Sequence, residues 1–450
     1  MRRIAIVGGG AAGVLTAVHL ARCCTATPPQ VILYDVSARV ARGAAYSTDN
    51  PRHLLNVPAG RMSAFVDESD DFVRWLGRVD PTVTSEAYRS RAEYGSYLAH
   101  CLAQHARDIG LSVRHVSVDD IERTSGEWHV RHTRGVDHVD AVVLAMGHAA
   151  PSALPVLGPS SDRCVADPWA PGALERLIRT TAPGDDVLVV GTGLTAVDVA
   201  LSLVPQGRRV VAVSRHGLLP ATQLETMAAP VPLPLPAATT LTAAEVERLA
   251  VRHVSEVTAA GLDWRAAIDG LRPVTAELWR RMPLEEKTLF LGTAARLWEV
   301  VRHRMAPEVA RCIDAWGKAG RFDVQQGEVV AGVRGSDGVR LTLRRGDGGL
   351  EGVAAAAVVN CTGPRCDIDA YPLGRRLVER GLVLSDPLGL GVIATDDGRA
   401  VDANGLADPR LRVVGALRRA ALYESTAIPE LRDQAAQIAT SLAGNAVLRA

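Results

Sequence analysis

The chain has 450 residues, of which 47% are hydrophobic, and it carries 50 basic and 50 acidic side chains. This length exceeds one typical domain and predicts two, with room for an insertion. A net charge of zero argues against the electrostatic bias of proteins that bind nucleic acid or anionic membranes. We therefore expect neither nucleic acid nor a membrane as a partner.

The first predicted element is a buried strand at residues 4–7 that runs directly into a glycine-rich turn and a helix. In such a fingerprint the glycines let the backbone approach a pyrophosphate, and the helix N-terminus points at its negative charge. An ordinary glycine turn without a ligand is the alternative. The expected cofactor-binding residues of this turn are Gly8, Gly10, Ala11, Ala12 and Gly13.

A second predicted strand, residues 31–35, ends in Asp35. An acid about twenty residues after the last glycine accepts hydrogen bonds from a ribose 2′-hydroxyl. A simple turn former is the alternative. Because the strand pattern begins at Ile4, we also expect no signal peptide and a cytoplasmic protein.

A second fingerprint follows the strand at residues 187–190, with expected cofactor-binding residues Gly191, Gly193, Leu194 and Thr195. Its next strand, residues 210–213, ends at Ser214 and Arg215 with no carboxylate. A 2′-phosphate is repelled by an acid and bound by a hydroxyl and a guanidinium, so NADPH is favoured over NADH. The alternative is a solvated loop arginine. Two fingerprints predict an oxidoreductase that passes electrons between NADPH and FAD.

Other segments predict the remaining architecture. Strands at 141–144 and 357–359 end in turns at Gly147 and Gly363, as expected of a chain passing under a cofactor or crossing between domains. Ordinary tight turns are the alternative. A proline-rich connector at 230–236 leads into a helical section, and residues 329–345 predict a β-hairpin.

Near the C-terminus, a strand at 411–414 leads to Gly415 and then to a helix with Pro429 at its first position. A helix N-terminus beside a strand end would stabilise the negative charge of a reduced flavin. A normally capped terminal helix is the alternative.

Seven cysteines are present, and none forms a CxxC pair. We therefore expect no redox-active dithiol, no zinc or iron–sulfur site and no metal.

Together these elements predict an α/β fold with two Rossmann-like dinucleotide-binding domains. The expected FAD domain comprises residues 1–165 and 335–450. The expected NADPH domain, residues 166–334, is inserted between them and contains a helical section at 240–320.

The chain resembles the FAD/NAD(P)-binding proteins related to flavin-dependent N-hydroxylating monooxygenases, and especially the branch similar to nitrosuccinate synthases. The resemblance spans nearly the whole chain, and the block from Gly43 to Leu98 is specific. It rests on residues 8–13, 43–47, 53–58, 62–63, 71–76, 91–98, 145–148, 191–196, 214–215, 302–304, 360–363 and 423–432.

The resemblance implies that FAD is held by the first fingerprint and Asp35, with its isoalloxazine between residues 55–58 and 425–428. It implies NADPH on the inserted domain. One departure is Met146, where a threonine is usual, and the chain is shorter than some members. The further expected cofactor positions are Tyr46, Asn56, Val57, Arg91, Gly147, Gly363, Gly415, Ser425, Thr426 and Ala427.

Three functions are compatible with this sequence, and no catalytic residue is assigned. The first is a monooxygenase that N-hydroxylates a small amine or amino acid with molecular oxygen through a flavin C4a-hydroperoxide. The second is an NADPH-dependent flavin reductase or dehydrogenase without oxygen insertion, and the third is a redox-sensing flavoprotein that binds a partner. Arg302 and Arg304 could bind a carboxylate or phosphate, or form the polar face of a helix. A homo-oligomer is possible.

Overall fold

The computed structural model describes residues 2–23, 28–124, 126–158 and 161–444. Cys24 lies outside these ranges. The strands are β1 Arg3–Val7, β2 Gln30–Tyr34, β3 Ser112–Arg114, β4 Val118–Arg123, β5 Trp128–His132, β6 Gly135–Val139, β7 Ala141–Leu144, β8 Cys164–Val165, β9 Asp186–Val190, β10 Arg209–Ser214, β11 Phe322–Gln326, β12 Glu328–Arg334, β13 Val339–Arg344, β14 Leu350–Ala355, β15 Ala357–Asn360, β16 Arg399–Val401 and β17 Ala407–Val413.

The helices alternate with strands in the first half and cluster between β10 and β11. They are α1 Ala11–Cys23, α2 Gly43–Tyr46, α3 Asp71–Gly77, α4 Arg91–His105, α5 Ala173–Thr180, α6 Leu194–Leu203, α7 Ala243–Ala259, α8 Trp264–Leu271, α9 Thr275–Arg280, α10 Leu284–Thr293, α11 Ala295–Arg302, α12 Pro307–Lys318, α13 Pro372–Glu379, α14 Arg419–Leu422 and α15 Ile428–Gly444.

The first sheet has the strand order β16-β17-β7-β1-β2-β3, with only the edge strand β16 antiparallel to its neighbour. Alternate residues of β1 face opposite layers: Ile4 and Ile6 pack with α1, α4 and α15, whereas Ala5 packs with β4–β6 and α13. Burial on both faces explains why β1 and β2 are continuous apolar runs.

The second sheet has the order β11-β10-β9-β15-β8 and is parallel throughout. Val187 and Val189 face α5, α6 and α12, whereas Leu188 and Val190 face the antiparallel sheet β12–β14. This unit therefore repeats the layers of the first: helices, parallel sheet, antiparallel sheet. The predicted hairpin at 329–345 is confirmed as β12 and β13.

The sheets divide the chain at different residues from those the sequence predicts. The strand β8 lies in the second sheet, although residues up to 165 were assigned to the FAD domain. The antiparallel strands up to Ala355 cover the second sheet, and β15 pairs with β9 inside it. Because of this pairing, the chain returns to the first unit after Asn360, and not at residue 335. Long-range pairing of a parallel strand leaves no local trace in the sequence, which explains the difference.

The chain crosses between the two units after β7 and again after β15. Gly147 and Gly363, at these strand ends, have φ angles of +71° and +102°. The crossings are hydrogen-bonded to each other: Ala149 N–H donates to the Arg365 carbonyl at 2.9 Å, and Arg365 N–H donates back at 3.2 Å. The predicted crossing at two glycine turns is thus confirmed.

The helices α7 to α11 form a separate apolar core that includes Trp279, Phe290 and Tyr423. The helix α7 begins with a capping box in which Thr242 and Glu245 bond each other's backbone N–H groups. The proline-rich segment at residues 230–236 is neither helix nor strand. Within the described ranges, no helix combines the length and apolar character needed to cross a membrane.

Candidate dinucleotide-binding cleft

The first fingerprint forms a tight turn that only glycine can make. Gly8 has a φ angle of +110°, and a Cβ there would collide with the carbonyl oxygen of Ala145 at the end of β7. A Cβ on Gly13 would collide with the Gly8 carbonyl. The turn is also tied to β2, because Gly8 N–H donates to the Tyr34 carbonyl at 2.9 Å. A ligand above the strand ends can therefore approach the backbone of this turn closely.

The second fingerprint repeats this arrangement. Gly191 has a φ angle of +116°, and its Cβ would collide with the carbonyl oxygen of Cys361 at the end of β15. Gly193 has no heavy atom within 4 Å of the position a Cβ would take, so the space before α6 is open. The two fingerprints thus share one construction: a first glycine against the end of a later strand, then a helix N-terminus. We call residues 8–13 the first cradle and residues 191–196 the second cradle.

The helices that follow the cradles, α1 and α6, carry no acidic residue in their first turns. Leu194 and Thr195 begin α6. By contrast, Glu93 and Glu245 occupy the first turns of α4 and α7 in capping boxes. The free N–H groups and positive dipole ends of α1 and α6 are therefore available to an anion.

Asp35 lies directly beside the first cradle. Its Oδ2 accepts a hydrogen bond from Gly9 N–H at 2.7 Å, and its Oδ1 accepts one from Ser37 N–H at 2.7 Å. Each carboxylate oxygen retains a second lone pair. The position agrees with the predicted ribose contact and also explains the local turn.

The end of β10 carries the residues predicted to recognise a 2′-phosphate. Arg215 is exposed, and Ser214 Oγ lies 2.8 Å from Thr192 Oγ1 in the second cradle. Arg296, from α11, donates to the Thr192 and Leu218 carbonyls at 3.3 and 2.6 Å. Sequence reasoning missed Arg296, because its partners lie in a distant part of the chain.

Arg91, predicted to contact the cofactor, makes protein contacts that join the two units. Its Nη2 lies 2.9 Å from Asp198 Oδ2 on α6, and its Nε donates to the Leu54 carbonyl at 3.3 Å. His53 Nε2 lies 2.9 Å from the Asp198 carbonyl oxygen. Asp198 is 4% exposed. Asp198 interrupts the mainly apolar sequence of α6, and this isolated acid was the sequence signal for a buried partner.

The segment before α15 meets the first sheet through Gln434, which sequence reasoning also missed. Gln434 Oε1 accepts from Gly415 N–H, and its Nε2 donates to the Ser425 carbonyl, both at 2.9 Å. Ser425 is 2% exposed, and its Oγ has no hydrogen-bond partner in the described structure. Thr426 and Ala427 are exposed at the helix start. A buried hydroxyl without a partner and an open helix terminus fit a flavin.

The remaining predicted cofactor residues lie around the same unit. Asn56 and Val57 are half-buried in the loop before α3. Tyr46 packs against Tyr94, with ring centroids 4.9 Å apart, and burial raises the pKa of its hydroxyl. Gly147 accepts a hydrogen bond from the Tyr371 hydroxyl at 2.7 Å.

One histidine lies in the turn after β7 and another directly follows α11. His148 and His303 are exposed to solvent, yet desolvation by the surrounding protein lowers the pKa of each imidazole. Uncharged imidazoles at neutral pH can accept or donate hydrogen bonds without adding positive charge.

The arginines flanking His303 have carboxylate partners within the chain. Arg302 Nε donates to Glu424 Oε2 at 3.1 Å, and Arg304, 2% exposed, pairs with Asp269. Because both arginines are paired within the chain, they match neither expected alternative, a free phosphate-binding group or the solvated face of a helix.

Outside the cleft, the described part of the chain contains one group of possible metal ligands. Glu127, His129 and His138 have ligand atoms within 4.8 Å of one another. Glu127 Oε1 lies 3.0 Å from His129 Nε2 and 2.8 Å from His138 Nδ1. Glu127 Oε1 therefore lies within hydrogen-bonding distance of both imidazoles.

Residues 5–149 match the family model of FAD-NAD(P)-binding proteins. That range contains the first cradle, Asp35 and the strand end against which Gly8 packs. Residues 5–149 form an FAD/NAD(P)-binding domain. A search among curated protein sequences found no match to the chain.

Several solved structures share the fold over nearly the whole chain. L-lysine 6-monooxygenase from Pseudomonas syringae is 18% identical, with a TM-score of 0.67 over 99% of this chain and 100% of that one. Ornithine N-hydroxylase from Kutzneria sp. 744, with reduced FAD, NADP+ and L-ornithine, is 18% identical, with a TM-score of 0.59 over 98% and 99%. Thioredoxin reductase from T. acidophilum is 14% identical, with a TM-score of 0.53 over 99% and 100%.

At these identities the likeness establishes the fold. It confirms the predicted fold class and the resemblance, at the level of fold, to flavin-dependent N-hydroxylating monooxygenases. The family model also supports the prediction of FAD/NAD(P) binding by residues 5–149.

Proposed function

We propose that this protein is an FAD- and NADPH-dependent monooxygenase that hydroxylates the nitrogen of a small amine or amino acid. The observation that carries the proposal is the pair of matching cradles, each a glycine turn against a later strand end, on two units joined by Arg91 and Asp198. Structures of the same full-length fold include N-hydroxylases of lysine and ornithine.

The chain's own residues suit this chemistry. Bound FAD would supply hydride acceptance and oxygen activation. The first cradle and Asp35 would hold its pyrophosphate and ribose, and the Ser425 hydroxyl would hydrogen-bond the flavin ring. The second cradle, with Ser214 and Arg215, would hold NADPH.

The protonation state of the substrate also matters. An amine must be uncharged to act as a nucleophile. His303 is an exposed imidazole whose pKa is lowered by desolvation, so that it would be neutral at neutral pH and could accept a hydrogen bond from such an amine.

A reductase without oxygen insertion is the second candidate, supported by the thioredoxin reductase of the same fold. The sequence argues against the dithiol form of this reaction, since no CxxC pair is present. A dehydrogenase acting on an organic substrate stays open to test.

The deciding experiment measures NADPH oxidation, oxygen consumption, hydrogen peroxide and hydroxylated product together, across a panel of amino acids and simple amines. The proposal predicts at least one amine that gives hydroxylamine in proportion to the NADPH consumed. If every amine leaves all electrons in peroxide, or if NADPH is consumed equally without oxygen, the monooxygenase assignment is wrong.

A further inference from the structure

The helical section contains an apolar cavity of about 300 Å³ between α7, α8 to α11 and Tyr423. Its floor is formed by Trp279, Met282 and Tyr423, which are 2%, 3% and 7% exposed. Its mouth is marked by Val251 and Leu297, which are 59% and 56% exposed. The cavity is therefore deep and also reachable from solvent.

The helix α11 separates this cavity from the dinucleotide cleft. Leu297, Trp298 and Val301 line the cavity on one side of the helix. On the other side, Arg296 bonds the second cradle and Arg302 bonds Glu424. The cavity is thus a site of its own, behind the helix that borders the cleft.

The chemistry of the walls restricts what can occupy the cavity. Among its lining residues in the described structure only Glu247 is charged, and this side chain is exposed at the rim. Trp279 stacks on Tyr423, with ring centroids 4.8 Å apart. The Trp298 N–H is already donated to Glu424 Oε1 at 2.9 Å. The interior therefore offers an occupant contact area but few hydrogen bonds.

The volume sets the size. At ~30 Å³ for each group of the size of a water molecule, the cavity holds on the order of ten non-hydrogen atoms. That is the size of a medium-length alkyl chain or a substituted benzene ring. It is too small for a helix or strand of another protein.

We propose that this cavity is a binding site for an apolar small molecule, an alkyl or aryl group of about ten non-hydrogen atoms, distinct from the dinucleotide cleft. An occupant touches Trp298, whose N–H donates to Glu424, and Tyr423, which directly precedes Glu424 in the chain.

The test uses the purified full-length flavoprotein and a series of linear alcohols, 1-butanol, 1-octanol and 1-dodecanol, followed by tryptophan fluorescence and titration calorimetry. Binding should be saturable and tighten about fourfold for each added methylene up to 1-octanol, then stop improving, because the cavity is full. Since the readout is binding, the result does not depend on the proposed oxygen chemistry.

Two variants locate the site. Ala250→Phe fills the cavity and should weaken 1-octanol binding at least tenfold, and Val301→Thr, which keeps the side-chain shape, should weaken it severalfold. Ala259→Phe, at the exposed end of α7, is the matched control and should bind as the unmodified chain does. Unsaturable binding, equal loss in all three variants, or an unchanged affinity in Ala250→Phe would overturn the proposal. So would a dimer that buries this mouth and excludes every alcohol.

Discussion

At the scale of single residues, the two cradle glycines provide the most direct test of the site. Gly8→Ala forces a Cβ against Ala145 at a positive φ, a strain of about 1–3 kcal/mol. We expect this variant to purify with little bound FAD, measured as flavin absorbance per protein. Gly191→Ala should keep its FAD and bind NADPH about tenfold more weakly in calorimetry.

The matched control is Gly77→Ala, because nothing lies within 4 Å of the position its Cβ would take. This variant should keep both FAD and NADPH affinity. Normal binding of both cofactors by the two cradle variants would contradict the assignment of the cradles.

Arg215 is the residue that we expect to set the preference between the two nicotinamide cofactors. A charge-assisted hydrogen bond contributes about 1.5–3 kcal/mol. Arg215→Ala should therefore raise the Kd for NADPH about tenfold or more and leave that for NADH unchanged. Arg252→Ala, on the exposed side of α7, serves as the control. An equal loss for both dinucleotides would show that Arg215 does not bind the 2′-phosphate.

At the scale of elements, the contact between α4 and α6 is a candidate for the main electrostatic link of the two units. The side chains of Arg91 and Asp198 are 16% and 6% exposed. Breaking a buried pair by removing one partner costs about 3–5 kcal/mol. We expect Asp198→Asn and Arg91→Gln each to lower the urea midpoint strongly, and the double variant to lose less than the sum.

The exposed pair of Lys318 and Asp314 on α12 provides the comparison. Asp314→Asn should cost less than ~1 kcal/mol. Additive losses at Arg91 and Asp198 would mean that the two side chains do not stabilise each other.

The sequence predicts elements well where the signal is local. The two strand-turn-helix units are present, because an apolar run, a glycine turn and an open helix start are each visible within a few residues. The start of α15 at Ile428, with Pro429 and Glu430 in its first turn, is another example. Burial raises the pKa of Glu430, but the Arg272 guanidinium outweighs that effect and holds the pKa below its ordinary value. No local pattern in the sequence indicates Arg272 as the partner.

What the sequence did not predict depends on pairing between distant segments. The placement of β15 in the second sheet, the Arg91–Asp198 pair and the clamp by Gln434 all join residues far apart in the chain. Such contacts are set by the packing of whole layers, and the residue types alone leave many partners open.

At the scale of the whole molecule, stability should fall as the pH drops below the ordinary histidine range. His19 and His53 are 6% and 2% exposed, and burial lowers the pKa of both imidazoles. Below pH 6.5 the unfolded chain therefore binds more protons than the folded chain. The free energy of unfolding is then highest above pH 6.5 and decreases on acidification, by up to about 1.4 kcal/mol per pH unit for each group.

His53→Asn should make this pH dependence shallower, measured by urea unfolding at a series of pH values. A variant of the exposed His216 is the control and should leave the slope unchanged. A slope of opposite sign would mean that the buried imidazoles are charged in the folded protein.

The paired crossings between the units restrict how those units can move. Ala149 and Arg365 hold the outgoing and returning segments together as a short ribbon. A single strand could swivel about its own axis, but a two-stranded ribbon resists torsion and bends more readily across its flat face. We therefore expect any relative motion of the two units to follow one hinge-like direction.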